Sequence, residues 1–445
     1  MLMTLQIGQK IKGENQNITF SVRQKLGEGT QGEVYLVEGA GGQLACKWYK
    51  PAHATDIQKA AIRALVRSGP PRGSAGDRFI WPLDLVTSPG SSLFGYTMRL
   101  IDTARFATLG EVQAHLKPAP SFFELCTISY QLANSYRALH LNGYCYRDIA
   151  DGNLMFDPRS GDVLICDNDN VGVNRQSHSQ IWGTMEYMAP ELIRGEGDPS
   201  TESDLHSLAV LLFHLWCWHH PLHGEMEYRL RVWDLPAKRR IYGEQPIFIF
   251  HPTDSRNRLP EDPEYMTAKQ RWGYCPPSLQ GMFTRAFTIG LEDPKRRITE
   301  GEWQREFLQL RDSIVQCSHC RAENFEEFGT TESRCWHCRT AILPHPKLLV
   351  RHAAGVHYLT LSEGTKILKR HLSNPWQEEE AETLLGEVVR HPRQPGVWGI
   401  KNWSPHPWKV TLSGGKAMEI LPQQAVPLNP GFRIQIEGAE VEIVP

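Results

Sequence analysis

The chain has almost no excess of either charge: 48 Lys and Arg face 50 Asp and Glu, a formal net charge of −2. That balance removes the electrostatic footprint expected of a nucleic-acid or anionic-membrane binder, so neither partner is expected. Long apolar runs are also missing. The most hydrophobic stretch, "LAVLLFHLWCW" from Leu208, is well short of the ~18–20 residues that span a bilayer and reads as a buried helix. The opening "MLMTLQIGQKIKGENQ" has too short an apolar patch for a secretory signal and lacks a cleavage pattern, which makes a cytoplasmic location the expectation. No internal repeat and no collagenous or disordered bias is visible in a composition 40% apolar and 22% charged. Disulfides are not expected either. Of ten cysteines, six are scattered and four form two close pairs, a usage that favours metal.

What is present is length and organisation. At 445 residues the chain exceeds one ordinary core, and two or three domains are expected. Residues 20 to about 105 read as strands with one helix. "ITFSVRQKLG" and "GEVYLVEG" flank a glycine-rich turn, and "GQLACKWYKP" adds a third strand. Thr55 and Gln58 form a capping box ahead of "KAAIRALVRS", while "FIWPLDLVTS" and "LFGYTMRLI" read as a hairpin turning at "PGSS". From about 121 to 314 the pattern is helical; Leu125, Ile128, Leu132, Tyr136 and Leu139 recur at helix spacing. A stretch from about 218 to 276, rich in Pro, His and aromatics, reads as an ordered insertion with a surface role. After Pro344 come short alternating segments such as "FRIQIE", in which Phe432, Ile434 and Ile436 take one face, as in an all-β sandwich.

Several short motifs follow one another in a consistent order. "LGEGTQGEVYLV" sets Gly27, Gly29 and Gly32 before Val34, a spacing that lets backbone approach phosphates, although a glycine-rich hairpin turn would look similar. Lys47 of "LACKWY" stands where a strand lysine reaches the α- and β-phosphates. "GYCYRDIADGNLMF" offers Asp148 as acceptor of a hydroxyl proton and Asn153 as a magnesium ligand; "VLICDNDN" offers Asp167 as the principal magnesium ligand. "WGTMEYMAPE" closes the series from Gly183 to Glu191.

In this order and spacing the span from about 20 to 314 resembles a eukaryotic-type Ser/Thr protein kinase. The resemblance implies an α+β bilobal kinase fold, with a small β-rich lobe above a helical one and ATP with Mg2+ between them. It implies roles for Met98 and Leu100 in the ATP site, for Asp204 as anchor of the catalytic loop, and for Arg297 as partner of Glu191. Arg147, before the catalytic aspartate, implies a phosphate in the activation segment, with Ser177, Ser179 and Thr184 as candidates. For the serines simple loop solvation is an equal reading, and Thr184 is better read as ordering Asp148 and the substrate hydroxyl.

Three departures stand out. No glutamate occurs between Gly42 and Gly110 to hold Lys47, and Asp56 and Gln58 are better explained as helix-cap residues. The cation expected two positions beyond Asp148 is Ala150, and the alternative place for it is Gly152. The usual Asp-Phe-Gly reads Asp167-Asn168-Asp169. Lys47, Asp148, Asn153 and Asp167 all remain, which favours an active Ser/Thr kinase over the alternative, an ATP-binding pseudokinase scaffold.

"CSHC" and "CWHC" set Cys317, Cys320, Cys335 and Cys338 as two CxxC pairs fourteen residues apart, the pattern of a structural four-thiolate zinc ribbon, with His319 and His337 as non-ligands. The tail resembles a forkhead-associated (FHA) sandwich in "GVWGIKNWS" and "AVPLNPGFRIQIEG". The phosphate-gripping residues of that family are not recognisable; Asn402 and Ser404 could line a loop-end site or cap a turn. The domain order expected is a kinase domain over 18–314 (small lobe to about 105, insertion 218–276), a ribbon over 315–343 and an FHA-like sandwich over 344–445. That order, with "HHPLHG" and "PIFIFHPTDSRNRLP", resembles the bacterial kinase of tellurite-resistance-associated triads. The resemblance implies a role in bacterial stress signalling, a von Willebrand A-type protein as target or partner, and a PPM-type phosphatase as antagonist.

Overall fold

A computed structural model describes residues 4–445 apart from 16, 176–182, 328–332, 353–354, 373–381 and 395. The chain divides into two compact units, Met1–Arg305 and Glu306–Pro445.

The first unit begins with a closed barrel. Strands β1 (Lys10–Gly13), β2 (Thr19–Glu28), β3 (Gly32–Gly39), β4 (Gly42–Tyr49), β5 (Asp84–Thr87) and β6 (Phe94–Met98) join in the order β1-β2-β3-β4-β6-β5. Alternation drives closure: Phe20, Val22, Tyr35, Val37, Cys46, Trp48 and Val86 all turn into one buried cluster. The β2–β3 register slips twice, at Val22/Gln24 and at Lys25/Gly27, so the tip that carries the glycines bends away from the barrel. Helix α1 (Asp56–Ser68) crosses over from β4 to β5. Thr55 accepts its Gln58 amide at 3.1 Å, but the Gln58 side chain does not complete a capping box; it is buried and turned inward.

The rest of this unit is helical. α2 (Phe122–Leu141) opens on a capping box between Ser121 and Glu124 and buries Leu125, Ile128, Leu132, Tyr136 and Leu139 on one face. Helix α3 (Thr201–Cys217) is buried nearly all round, with Leu208, Val210, Leu211, Leu212 and Phe213 closed to solvent. Part of the 218–276 stretch joins the core, while residues 229–240 stay half-buried or exposed. Phe248 packs edge-on against Phe213, and Phe250 stacks on Trp272 with centroids 4.5 Å apart.

In the second unit, two short strand pairs, β11 (Ile314–Gln316) with β12 (Glu323–Phe325) and β13 (Ser333–Arg334) with β14 (Ala341–Ile342), carry the four paired cysteines. The tail is an all-β region. Its first sheet has the order β16-β15-β24-β23-β20-β21 and its second β17-β18-β19-β22. These strands are β15 (Lys347–His352), β16 (Gly355–Thr360), β17 (Lys366–Leu368), β18 (Leu384–Arg390), β19 (Trp398–Asn402), β20 (Trp408–Thr411), β21 (Ala417–Ile420), β22 (Ala425–Pro427), β23 (Arg433–Ile436) and β24 (Ala439–Val444). Phe432, Ile434 and Ile436 face a core shared with Val350, Val388, Ile400, Trp408 and Val426, while Arg433, Gln435 and Glu437 face water.

Candidate active site

The site is assembled by one hairpin. β8 (Leu154–Phe156) pairs antiparallel with β9 (Val163–Ile165), and the Leu154–Ile165 pairing brings the chain before one strand beside the chain after the other. Asn153 and Asp167 therefore emerge at the same end, tied by the Cys166 amide donating to the Asn153 carbonyl at 2.8 Å. Two hard oxygen donors on one rigid turn suit a magnesium ion, which takes few protein ligands and keeps its other positions for water or phosphate. Asp167 holds a left-handed backbone (φ 57°). A carboxylate can tolerate that conformation better than a branched or bulky side chain.

Asp148 stands within the same turn. Asn153 Nδ2 donates to its carbonyl at 2.9 Å and to its Oδ2 at 3.2 Å. Oδ1 accepts from the Thr184 amide at 2.9 Å and the Thr184 hydroxyl at 3.1 Å. Gly183 permits that approach, since a Cβ there would lie 2.6 Å from the Arg147 carbonyl. The loop is anchored from below. Asp204, at the start of α3, accepts the Tyr146 amide at 2.5 Å and the Arg147 amide at 3.0 Å, and His140 sits between Asp204 and Glu300. Burial opposes protonation of His140, but hydrogen bonds and charge from both acids override it and raise the ring to about 9. Glu191 and Arg297 form a two-pronged pair at 2.8 and 2.7 Å, and Arg297 also donates to the Glu202 and Gly290 carbonyls.

Lys47 comes from β4, opposite Val34 of β3. Its ammonium donates to Gln31 at 3.0 Å, to Asp167, and to both oxygens of Asp169 at 3.1 and 2.9 Å. Burial disfavours its charge, yet the two carboxylates hold its pKa above the ordinary lysine value. Burial and the charge of Asp169 push Asp167 up to about 6, against the pull of Lys47. Above the lysine, Gly32 has no room for a side chain: a Cβ would lie 2.5 Å from the Trp48 carbonyl. Gly27 instead faces open space, and a Cβ at Gly29 would meet only the Gly32 carbonyl, at an ordinary contact distance of 3.9 Å. Met98, at the end of β6, packs against the cluster of Ile80, Phe106 and Leu164, as Met155 and Cys166 do, and Leu100 is 36% exposed. Lys47 of the barrel thus meets the hairpin carboxylate Asp167, and Asn153 ties that hairpin to the loop aspartate Asp148.

Residues 97–263 match the family described as protein kinase domain. Over those residues the chain is similar to protein kinase domains. The match takes in Asp148, Asn153, Asp167 and Asp204. Among similar proteins is ribosomal protein S6 kinase alpha-4 of Mus musculus, 27% identical over 297 residues, which cover 64% of this chain and 36% of that protein. The serine/threonine-protein kinase sck2 of Schizosaccharomyces pombe is 28% identical over 216 residues (45% and 31%). Aurora kinase of Dictyostelium discoideum is 31% identical over 141 residues (30% and 36%). The chain spans about a third of the length of these relatives. The homologues are serine/threonine kinases, the enzyme class that the motif series implies.

Within the first unit, the partner of Lys47 is what sequence reasoning missed. Asp169, where the family's glycine would stand, and Tyr49 and Gln58, read as a strand residue and a cap, form one buried cluster with it. The one available signal was the second acid in "DNDN". Arg147, with a left-handed backbone, lays its guanidinium against Gly172 and donates to the Val173 carbonyl at 3.3 Å. Ser177 and Ser179 lie outside the described residues. Ala150 is buried, and Gly152 has open space over its α-carbon. The histidines of the insertion brace the segment after Thr184: His220 bonds the Glu186 carbonyl at 2.7 Å, and His214 of α3 bonds the Tyr187 hydroxyl at 2.8 Å. Burial holds both rings below the ordinary histidine value, His220 well below it.

In the second unit the four thiols form a closed set. Cys317 and Cys338 sulfurs lie 3.6 Å apart, as do those of Cys320 and Cys335. A disulfide would bring them to ~2.05 Å, whereas the edge of a zinc–thiolate tetrahedron with bonds of ~2.3 Å is ~3.8 Å. Two like knuckles produce the set, each with a left-handed arginine, Arg321 and Arg339, one residue past the second cysteine. The donor set fits zinc. A second histidine–carboxylate group, Asp312 with His357 and His371, does not behave as a metal centre. His371 Nδ1 accepts the Leu368 amide at 2.9 Å, so its other nitrogen, 3.2 Å from Asp312, carries the proton. Arg370 already occupies both Asp312 oxygens. Asn402 is fully buried and satisfied by the His406 and Ile420 carbonyls and by Ser404, which braces a turn. No helix among the described residues is long and apolar enough to cross a membrane.

Proposed function

We propose that this chain is an ATP- and Mg2+-dependent protein kinase that phosphorylates serine or threonine on itself and on a partner protein. The observation that carries it is the convergence of Lys47, Asp148, Asn153 and Asp167 on one cleft, with Thr184 on Asp148. Asp148 Oδ2 is the atom that takes the hydroxyl proton of the acceptor, while Oδ1 is kept in place by Thr184. Lys47 meets the α- and β-phosphates under the backbone of Gly27, Gly29, Gly32 and the side chain of Val34, with Met98 and Leu100 toward the base. Asn153 and Asp167 would hold magnesium, which when bound neutralises charge on the phosphates. Arg147 and Arg297–Glu191 keep the loop and the activation segment in register. Ser177, Ser179 and Thr184 are the phosphorylation candidates.

The domain scheme belongs to the same proposal: kinase over 18–314, zinc ribbon over 315–343 holding structural Zn2+ on Cys317, Cys320, Cys335 and Cys338, and an FHA-like sandwich over 344–445. So does the setting, cytoplasmic bacterial stress signalling of the tellurite-resistance triad type, with a von Willebrand A-type substrate and a PPM-type phosphatase as antagonist. The competing reading is an ATP-binding scaffold that presents ribbon and sandwich; Ala150 favours it, because a cation beside the transferring phosphoryl group is worth a few kcal/mol, on the order of 2–4. Incubation of the full chain with labelled ATP and magnesium, followed by mass-spectrometric site mapping, separates the two. Phosphate incorporation that vanishes in Asp148→Asn is expected; nucleotide binding without any incorporation in the unaltered chain would leave only the scaffold.

A further inference from the structure

Lys47 has two counter-anions, and they are not equivalent. The Asp169 side chain has no exposed surface, whereas that of Asp167 is 32% exposed. Asp169 turns both oxygens to the lysine, at 3.1 and 2.9 Å, and one of them also accepts the Tyr49 hydroxyl. Gln58 Nε2, reaching in from α1, donates to the Tyr49 oxygen at 3.0 Å and to the Asp169 carbonyl at 3.3 Å. A carboxylate so enclosed cannot leave the ammonium without stranding a buried charge. Asp167 is different: it stands beside Asn153, Lys47 donates to its Oδ1, and its partly exposed carboxylate is the one a cation arriving from solvent can reach.

Resting on the kinase reading above, we propose that Asp169 is the permanent partner that positions Lys47 and that Asp167 is its exchangeable one. Asp169 is then a positioning residue, and Tyr49 and Gln58 orient it. The arrangement answers the absence of any glutamate between Gly42 and Gly110. It also changes how α1 reports to the site: the helix contributes an amide that steadies the anion, and the anion itself comes from the segment after β9.

Two measurements on the full chain test this. The first needs no nucleotide: the rate of Lys47 acetylation by acetic anhydride, followed by peptide mass spectrometry. Asp169→Asn is expected to speed it about tenfold, Tyr49→Phe by less, and Asp167→Asn least, because without its enclosed anion the ammonium is no longer held in the buried cluster and its nitrogen is freer to meet the reagent. The second is the affinity for ATP, with and without magnesium, in a cycle of Asp169→Asn and Lys47→Met. Asp169→Asn is expected to weaken ATP about tenfold alone and not further in the Lys47→Met background, the mark of residues acting as a unit. Gln58→Glu, which sets a carboxylate within the same cluster, should restore both readouts to Asp169→Asn. Equal acetylation in Asp169→Asn and the unaltered protein, or losses that multiply in the double variant, would overturn the assignment. If the unaltered chain binds no ATP, the kinase reading falls on its own, and the order of the acetylation rates still decides which carboxylate is the permanent partner.

Discussion

Raising the pH should loosen the catalytic-loop anchor through His140. The ring lies between Asp204, 3.0 Å from Nε2, and Glu300 at Nδ1, in the last turn of α2, where the helix dipole also favours a cation. The folded protein holds its proton up to about 9, against an ordinary 6.5. The sign follows from linkage. Below 6.5 both folded and unfolded chains carry the proton, and the full stabilisation is present. Above 6.5 only the folded form keeps it, so stability falls with each pH step until about 9 and is then flat. At ~1.4 kcal/mol per pH unit the window carries on the order of 3 kcal/mol. Thermal unfolding between pH 6 and 9.5, with hydrogen exchange of peptides covering 140–150, would measure it against His140→Asn, in which the slope from this group disappears. Parallel curves for the two proteins across that window would refute the reasoning.

Arg297→Leu should cost ~3–5 kcal/mol, because it leaves Glu191 half-buried without its two-pronged partner; the shift in melting temperature checks it. Gly32→Ala should destabilise the barrel by about 1–3 kcal/mol, since its Cβ would press on the Trp48 carbonyl, while Gly29→Ala, whose Cβ would meet the Gly32 carbonyl at an ordinary 3.9 Å, should melt like the unaltered chain. Chelation, or Cys335→Ser, should release one zinc per chain and abolish the circular-dichroism and fluorescence signature of Trp336, whose amide and indole N–H are tied to Asn324 and Glu323 beside the thiols.

That several of the candidate residues would lie together was legible from residue order alone. Asp148 and Asn153 lie five residues apart on a single turn, and Asp167 follows the same hairpin, so local chain geometry already brings them together. The same holds for the two cysteine knuckles and for "FRIQIE", where a period of two separates core from solvent. Glu191 and Arg297 could be matched only by resemblance, being 106 residues apart. Gln58 shows the limit of local reasoning: its sequence setting suits a cap, and half of that expectation fails because a buried amide gains more from Tyr49 and Asp169 than from the helix end.

The sequence by itself determined which chemical groups are available, and in what order along the chain: a phosphate-spaced glycine turn, a strand lysine, a proton acceptor, two hard metal ligands and four thiols. Tertiary structure alone decided which carboxylate neutralises Lys47. That partner is 122 residues away, and no periodicity or spacing encodes it. It is chosen by burial: an ammonium closed off from water takes the anion that packing leaves beside it, and here packing leaves Asp169.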